Sequence, residues 1–338
     1  MPKSKINLNT EKYILSSLKA LKWLEMQLRS DGSYNNIEID LASYYKSPYL
    51  FHLAGKHTEA SLILNYIKKM FMRKNGDFTT EGEIKSSNSA FQEYWPYING
   101  WIAIASQKMG RFDVSYPVYE YLKSFFNPEL GGFTTNKPYK QSNNVVDILT
   151  TSHLGLTALY FGDIEKSKQS GNLLQKFFSK QPDLKSKIFL RMDGNSNLIT
   201  DFPKEAAVFF NVSTMQPGQA YFMIGYPIAF LGKLYKATDD KEYLITAKNY
   251  LDFALACGKN IYSTHFNHKV GWGAAVIANI TKDERHLDFS VNIADYLLTL
   301  QDQNGSWLMK EPSHTSFDQT AEIAIWLLEI SSELSDLE

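Results

Sequence analysis

Two pairs of titratable side chains have spacings that suit proton transfer. Asp318 and Glu322 are four residues apart, so a helix would point both carboxyl groups the same way, and a shared cavity would raise one pKa. Asp147 and His153 are six residues apart and combine a carboxylate with an imidazole, which suits general acid–base catalysis. The structural alternatives are helix capping by the aspartates, pairing of Glu322 with a cation, and core packing of His153.

Three more residues are candidates for the same chemistry. His265 and His268 are three residues apart, a spacing that can place both imidazoles on one helix face for acid–base work or substrate binding. Glu93, next to Gln92, adds a carboxylate near the start of an apolar segment. Capping and ordinary hydrogen bonding are the alternatives here. Cys257 is the only cysteine and further metal ligands are not evident, so we expect no metal and no other cofactor.

Aromatic residues are unusually common for a helical chain, with 20 Tyr, 21 Phe and 6 Trp, which predicts that some of them line a cavity. Ring faces stabilise a carbocation and also stack on a sugar ring, although core packing is the alternative for each. The residues proposed for substrate binding are Tyr44, Tyr45, Gln92, Trp95, Gln219, Tyr221, Trp272 and Gln319.

A repeated helical unit positions these residues. Six amphipathic segments alternate with six continuously apolar ones at a spacing of roughly 45–55 residues, which predicts an outer layer of helices around an inner one. One domain, 1–338, is expected, with an insertion at about 182–213 and almost no strands. Turns from apolar to amphipathic segments are short, whereas the return loops are long. The polar residues at the starts of the apolar segments, Asp40 and Lys46 among them, should therefore share one functional face.

Composition limits the class of partner. The formal net charge is -1 and no basic run is present, so a nucleic-acid surface is not expected. No apolar run approaches the roughly 18 residues of a membrane span, and the first residues lack an apolar signal core. A cytoplasmic protein with a small-molecule substrate is predicted, and the sequence leaves its oligomeric state open.

The last repeat resembles a known superfamily. Gln301-Asp302-Gln303-Asn304-Gly305-Ser306-Trp307 is similar to the Gln–Trp repeat of terpenoid cyclases and protein prenyltransferases. Weaker copies are Asp31-Gly32-Ser33-Tyr34, Gly76-Asp77-Phe78 and Gly131-Gly132-Phe133. The resemblance implies an all-α (α/α)6 toroid with a central cavity. The Asp-x-Asp-Asp proton donor and the Asp-Asp-x-x-Asp magnesium motif of those enzymes are both missing, which makes diphosphate chemistry unexpected.

A second resemblance covers about a third of the chain. The segments 217–226 and 235–244 are similar to the inner helix and following turn of unsaturated glucuronyl hydrolases and sugar 2-epimerases. Such hydrolases place a catalytic aspartate at an inner-helix start, where Asp147 falls in this chain.

These observations predict an enzyme, with three functional alternatives. The leading one is a cyclase or isomerase, similar to terpenoid cyclases, that acts by acid–base chemistry on a neutral, largely apolar molecule. The second is a carbohydrate-active hydrolase or epimerase that uses Asp147, and the third is a non-catalytic helical-repeat scaffold. The proton donor would be Glu93, Asp147, Asp318 or Glu322, with His153, His265 or His268 as acceptor or orienting group.

Overall fold

The computed structural model describes residues 3–335 and 337, which form mainly α-helices. The helices are α1 (Lys3–Gln27), α2 (Ser47–Leu53), α3 (His57–Phe71), α4 (Ala90–Glu93), α5 (Trp95–Lys108), α6 (Phe112–Lys123), α7 (Ile148–Tyr160), α8 (Ile164–Ser179), α9 (Phe222–Thr238), α10 (Lys241–Ala256), α11 (His268–Thr281), α12 (Glu284–Thr299) and α13 (Ser313–Ser335). Short strands are β1 (Phe126–Asn127), β2 (Gly132–Phe133), β3 (Val146–Asp147), β4 (Lys187–Phe189), β5 (Arg191–Met192) and β6 (Asn211–Ser213).

The chain divides into two compact units. The first unit is formed by Glu11–Phe125 and Leu298–Leu328, so it contains most of α1 and α13. The second unit is formed by Phe126–Leu297 together with the described residues before 11 and after 328. The single domain expected from the sequence stays a prediction.

Burial follows the predicted alternation of two helix types. Every residue from Pro96 to Ser106 in α5, and every residue from Ile148 to Ala158 in α7, is buried. Helices α3, α8 and α12 instead bury one face and expose charged side chains on the other. In the second unit α9 packs against α7, α10 and α11, and in the first unit α5 packs against α2 and α6. Helices apolar on all sides are therefore the inner ones within each unit.

The turns that resemble the Gln–Trp repeat pack closely against the backbone of another helix. Gly32 and Gly305 have φ of +87° and +98°, a conformation that side chains other than glycine strain to adopt. A Cβ on Gly32 would lie 2.3 Å from the carbonyl oxygen of Leu62 in α3, and one on Gly305 would lie 2.6 Å from that of Lys19 in α1. Gly76 and Gly131 approach α6 and α8 in the same way. The glycine of the motif thus allows the turn and the helix to pack backbone against backbone.

The predicted insertion contains most of the β structure. Strand β4 pairs with β6, and β5 pairs with β3, which sets Arg191 opposite Asp147. Ala207-Val208-Phe209, also within the insertion, lies in the 3-10 helix Lys204–Phe209. Within the described residues, no helix is both long enough and apolar enough to cross a membrane.

Candidate active site

A buried lysine in the first unit holds two carboxylates. Lys46 precedes α2, and its Nζ lies 2.7 Å from Oδ1 of Asp318 and 2.5 Å from Oε2 of Glu322. Only 2% of the Lys46 side chain, 6% of Asp318 and 2% of Glu322 are exposed. The two acidic residues are one turn apart on α13, as their spacing predicted, and both face the same ammonium group. We call Lys46, Asp318 and Glu322 the triad.

Aromatic rings surround the triad. The Lys46 Nζ lies 4.9 Å from the ring centroid of Tyr45, 5.6 Å from Trp101 and 5.9 Å from Tyr97, which are cation–π distances. Trp326 Nε1 donates to Oε1 of Glu322 at 3.2 Å, and the Tyr97 hydroxyl donates to the same oxygen at 3.4 Å. These rings exclude water and strengthen the electrostatic interactions within the triad.

Burial controls protonation in this cluster. It raises the pKa of Asp318 above its usual value; the ammonium of Lys46 opposes the shift, and the neighbouring charge of Glu322 adds to it. Burial also raises the pKa of the Tyr45 hydroxyl well above 10, with the Asp318 charge as a second cause. A carboxyl group with a raised pKa therefore lies beside a second carboxylate, an arrangement that suits a proton donor next to an acceptor.

Gln319 connects the two carboxylates. Its Nε2 donates to Oδ2 of Asp318 at 2.7 Å and lies 3.5 Å from Oε2 of Glu322. Its Oε1 is buried and has no hydrogen-bond partner among the described residues. The side chain as a whole is only partly buried, which makes it the most exposed of these polar groups.

A second buried lysine in the same unit has a different environment. Lys85 Nζ lies 2.7 Å from Oδ1 of Asp77, and the Asn99 side chain contacts both residues. The other oxygen of Asp77 accepts from Trp95 Nε1 at 2.9 Å and from the Tyr121 hydroxyl at 3.0 Å. Burial lowers the pKa of Lys85 to about 8, against the charge of Asp77. Trp95, predicted to bind substrate, therefore anchors this ion pair.

Asp147 lies in the second unit and caps a helix. Its Oδ1 accepts from the Thr150 backbone N–H at 2.6 Å and its Oδ2 from the Thr150 hydroxyl at 2.7 Å. Burial raises its pKa to about 6, and the charge of Arg191 opposes that rise. The Arg191 guanidinium stacks on Phe210, 4.6 Å from the ring centroid. A catalytic role for Asp147 stays a prediction, since both of its oxygens already serve the cap.

The predicted histidines of the second unit border one aromatic cluster. The His153 ring is buried on α7, with its centroid 4.9 Å from that of Tyr226 on α9. Lys269 Nζ lies 3.4 Å from Nε2 of His268 and 5.3 Å from the Tyr226 ring. The rings of His265 and His268 are nearly parallel, with centroids 6.4 Å apart. Imidazole, ammonium and phenol groups from three inner helices of this unit thus come together.

The remaining predicted residues lie outside the triad and the Lys85 cluster. Tyr44 stacks on Tyr34, and Trp272 packs against Tyr226. Gln92 is exposed, and Glu93 is partly buried at the end of α4. Gln219 accepts from the Ser213 backbone N–H, and the Tyr221 hydroxyl donates to the carbonyl of Gln216. Substrate-binding or catalytic roles for these residues stay predictions, as does the convergence of all the polar inner-helix starts.

Sequence reasoning missed several members of the clusters. Lys46 belongs to the polar residues predicted to share one functional face, but the sequence predicts no role for Lys46, Lys85 or Lys269. A lone lysine inside the apolar run 41–53, or inside 268–278, was the available signal. In the part of the chain that the structure describes, no three His, Cys, Asp or Glu side chains form a metal-binding group.

Known proteins resemble this chain in structure rather than in sequence. No protein-family model matches it, and neither does any curated protein. A D-mannose isomerase is 12% identical over 96% of this chain and 97% of its own, with a TM-score of 0.66. An inactive variant of a Salegentibacter α-1,6-mannanase, with two neighbouring aspartates changed to asparagine, is 12% identical over 96% and 100%, with a TM-score of 0.60.

A type II terpene cyclase from Scytonema extends the likeness to another enzyme class. It is 11% identical over 97% of this chain and 99% of its own, with a TM-score of 0.59. All three are (α/α)6 toroid proteins. The likeness shows that this chain has the all-α toroid fold, which confirms the fold predicted from the sequence.

Proposed function

We propose that the chain is an enzyme that transfers protons to and from a small polar molecule, as an isomerase or epimerase does. The triad carries this proposal, because Lys46 holds two carboxylates in a buried, ring-lined cluster where the pKa of Asp318 is raised. Burial of three ionisable groups with so little solvent contact is costly. Such clusters are common at sites of proton transfer, which is why the triad supports that function.

Each member of the triad has a distinct role in the proposed reaction. Glu322, which accepts from Lys46, Tyr97 and Trp326, is the base that removes a proton from the carbon next to a substrate carbonyl. The electron pair of that C–H bond forms a carbon–carbon double bond. The carbonyl oxygen gains the negative charge beside the Lys46 ammonium and takes the proton of Asp318.

The second half of the reaction returns both protons. Glu322 gives its proton to the neighbouring carbon, and Asp318 recovers a proton from the hydroxyl on the other carbon. The carbonyl has then moved by one carbon, and no electrons have been gained or lost. Return of the proton to the original carbon from its opposite face would instead give epimerisation.

The similar proteins favour the isomerase over a hydrolase. One is a D-mannose isomerase, which supports a sugar as the class of substrate. In the mannanase variant, loss of two neighbouring aspartates accompanies inactivity. The one such pair in this chain, Asp239 and Asp240, is exposed on the turn between α9 and α10, where Asp240 caps α10. This chain therefore has no pair of neighbouring aspartates placed for hydrolysis of that kind.

Deuterium exchange tests the proposal directly. We expect the protein, incubated in D2O with a panel of aldoses and ketoses that includes D-mannose, to introduce deuterium at the carbon next to the carbonyl of at least one sugar. Asp318→Asn should slow that exchange by roughly 10²–10⁴-fold while it leaves the melting temperature nearly unchanged. Proton NMR measures the exchange.

Glu311→Gln is the matched control, because Glu311 is an exposed carboxylate in the loop before α13. This variant should exchange at the wild-type rate. The proposal would be refuted if no sugar exchanged, or if Asp318→Asn exchanged as fast as the wild type.

A terpenoid-type cyclase is the second candidate function. The raised pKa of Asp318 within a ring-lined cluster, and the likeness to the Scytonema cyclase, support a carboxylic acid that protonates an alkene. The Lys46 ammonium opposes it, since it already lies over three ring faces and would repel a carbocation. Thermal shift separates the candidates: isoprenoid ligands should raise the melting temperature of a cyclase, and sugars that of an isomerase.

A further inference from the structure

The amide of Gln319 has only one electrostatically reasonable orientation. Its Nε2 faces oxygens of Asp318 and Glu322, at 2.7 Å and 3.5 Å. Rotation of the amide by half a turn would bring Oε1 against the same two carboxylates, and lone pairs would then face negative oxygens. The two acidic residues therefore fix which atom of Gln319 remains for a ligand.

That remaining atom is a buried hydrogen-bond acceptor. Gln319 Oε1 has no partner among the residues that the structure describes. Buried polar atoms in folded proteins are nearly always paired, so an unpaired acceptor beside a charged cluster is a position that a donor group can satisfy. Only a donor such as a hydroxyl or an amine can satisfy a carbonyl-type oxygen.

Lys46 supplies the complementary group. An ammonium has three N–H bonds, and two carboxylates lie within ion-pair distance of it, so at least one N–H can serve an acceptor on the ligand. The same cluster therefore presents one donor, from Lys46, and one acceptor, from Gln319. A carbonyl with a hydroxyl on the next carbon matches this pair.

We propose that Gln319 determines specificity by accepting a hydrogen bond from the hydroxyl next to the substrate carbonyl, so that the substrate is an α-hydroxy carbonyl compound. This inference rests on the proposed function, since Lys46 must bind the carbonyl oxygen. It adds a test by substrate structure, because a deoxy analogue lacks only the hydroxyl that Gln319 would bind.

Calorimetric binding of two sugars tests the assignment. D-Mannose carries the hydroxyl, and 2-deoxy-D-glucose is the same sugar without it. We expect the wild type to bind D-mannose at least about tenfold more tightly, and Gln319→Met to reduce that ratio to below about threefold. Gln141→Met, at an exposed glutamine of the second unit, is the control and should keep the wild-type ratio.

A further variant covers a failure of Gln319→Met to fold. Gln319→Lys still donates to the two carboxylates but offers no acceptor, so it should lose the preference as well. An unchanged ratio in the folded variant, or equal or undetectable binding of both sugars by the wild type, overturns the assignment. Deuterium exchange that depends on Asp318 would then still support the proposed function, whereas absence of exchange removes the proposed function itself.

Discussion

Lys46 and Lys85 are both buried in the first unit, but Lys46 contacts two carboxylates and Lys85 contacts one. Around Lys85 the charges balance, and Asp77 accepts hydrogen bonds from Trp95, Tyr121 and Asn99 besides its ion pair. Around Lys46 the acidic charge is in excess, and the pKa of Asp318 is raised.

The difference separates a structural ion pair from a reactive one. In the Lys85 cluster every polar atom of Asp77 is used, so a change of protonation would break several hydrogen bonds at once. In the triad two neighbouring carboxylates share one ammonium, and the raised pKa of Asp318 makes that carboxyl group easier to protonate than an ordinary aspartate. A buried charge is thus a candidate for chemistry when its surroundings leave the charge or the hydrogen bonding incomplete.

The largest expected contrast is between the two aspartates. Asp77→Asn leaves Lys85 without its counter-charge and should lower the free energy of unfolding by on the order of 3–5 kcal/mol. Asp318→Asn leaves Glu322 as the counter-charge of Lys46, so it should change the free energy of unfolding by less than about 1 kcal/mol, although proton exchange is lost. Denaturant unfolding monitored by circular dichroism measures both. Equal destabilisation by the two substitutions would contradict the distinction between a structural and a reactive ion pair.

Asp147 provides an intermediate case, because it has a single cation nearby but a raised pKa of about 6. A folded-state pKa above the usual 3.8 means that the folded protein binds more protons between about pH 4 and 6. The stability of the wild type should therefore fall, by on the order of 3 kcal/mol, as the pH rises through that window.

The variant Asp147→Asn isolates this effect, since asparagine still caps the helix but does not titrate. The difference in unfolding free energy between wild type and variant, measured at pH 4 and pH 7, should change by that amount in favour of the variant at the higher pH. A constant difference would show that Asp147 titrates normally.

The smallest contrast concerns two hydroxyl groups. The Tyr121 hydroxyl donates to Asp77 at 3.0 Å, whereas the Tyr97 hydroxyl is 3.4 Å from Glu322. A hydrogen bond to a charged group contributes roughly 1.5–3 kcal/mol, and a long one contributes less. Tyr121→Phe should therefore lower the melting temperature more than Tyr97→Phe, as calorimetry would measure. The reverse order would place the tighter hydrogen-bond network around the triad.

Helix positions were predictable because they depend on local periodicity. Each of the six apolar segments contains an observed helix, and the four-residue spacing of Asp318 and Glu322 correctly set both on one side of α13. Their partner was not predictable in the same way. Lys46 is 276 residues from Glu322, and no local pattern reports on such a contact.

Asp77 is a second residue whose partners the sequence does not reveal. It was seen only as part of a repeat turn, yet its carboxylate organises four side chains of the first unit. Trp95 donates its indole N–H to the same carboxylate, a contact that its position near an inner-helix start does not reveal. Substrate binding by Trp95 stays a prediction.

The turn at Gly305 rests on helix α1, just as the turns at Gly32 and Gly76 rest on α3 and α6. Gln301, just before that turn, binds both the hydroxyl and the carbonyl of Ser16, 285 residues earlier in the chain. The turn of the final repeat thus packs on the first helix, as each earlier turn packs on the helix of the next repeat. Deletion of α1 should consequently destabilise the turn at Gly305 as much as removal of an internal repeat destabilises the turn that packs on it.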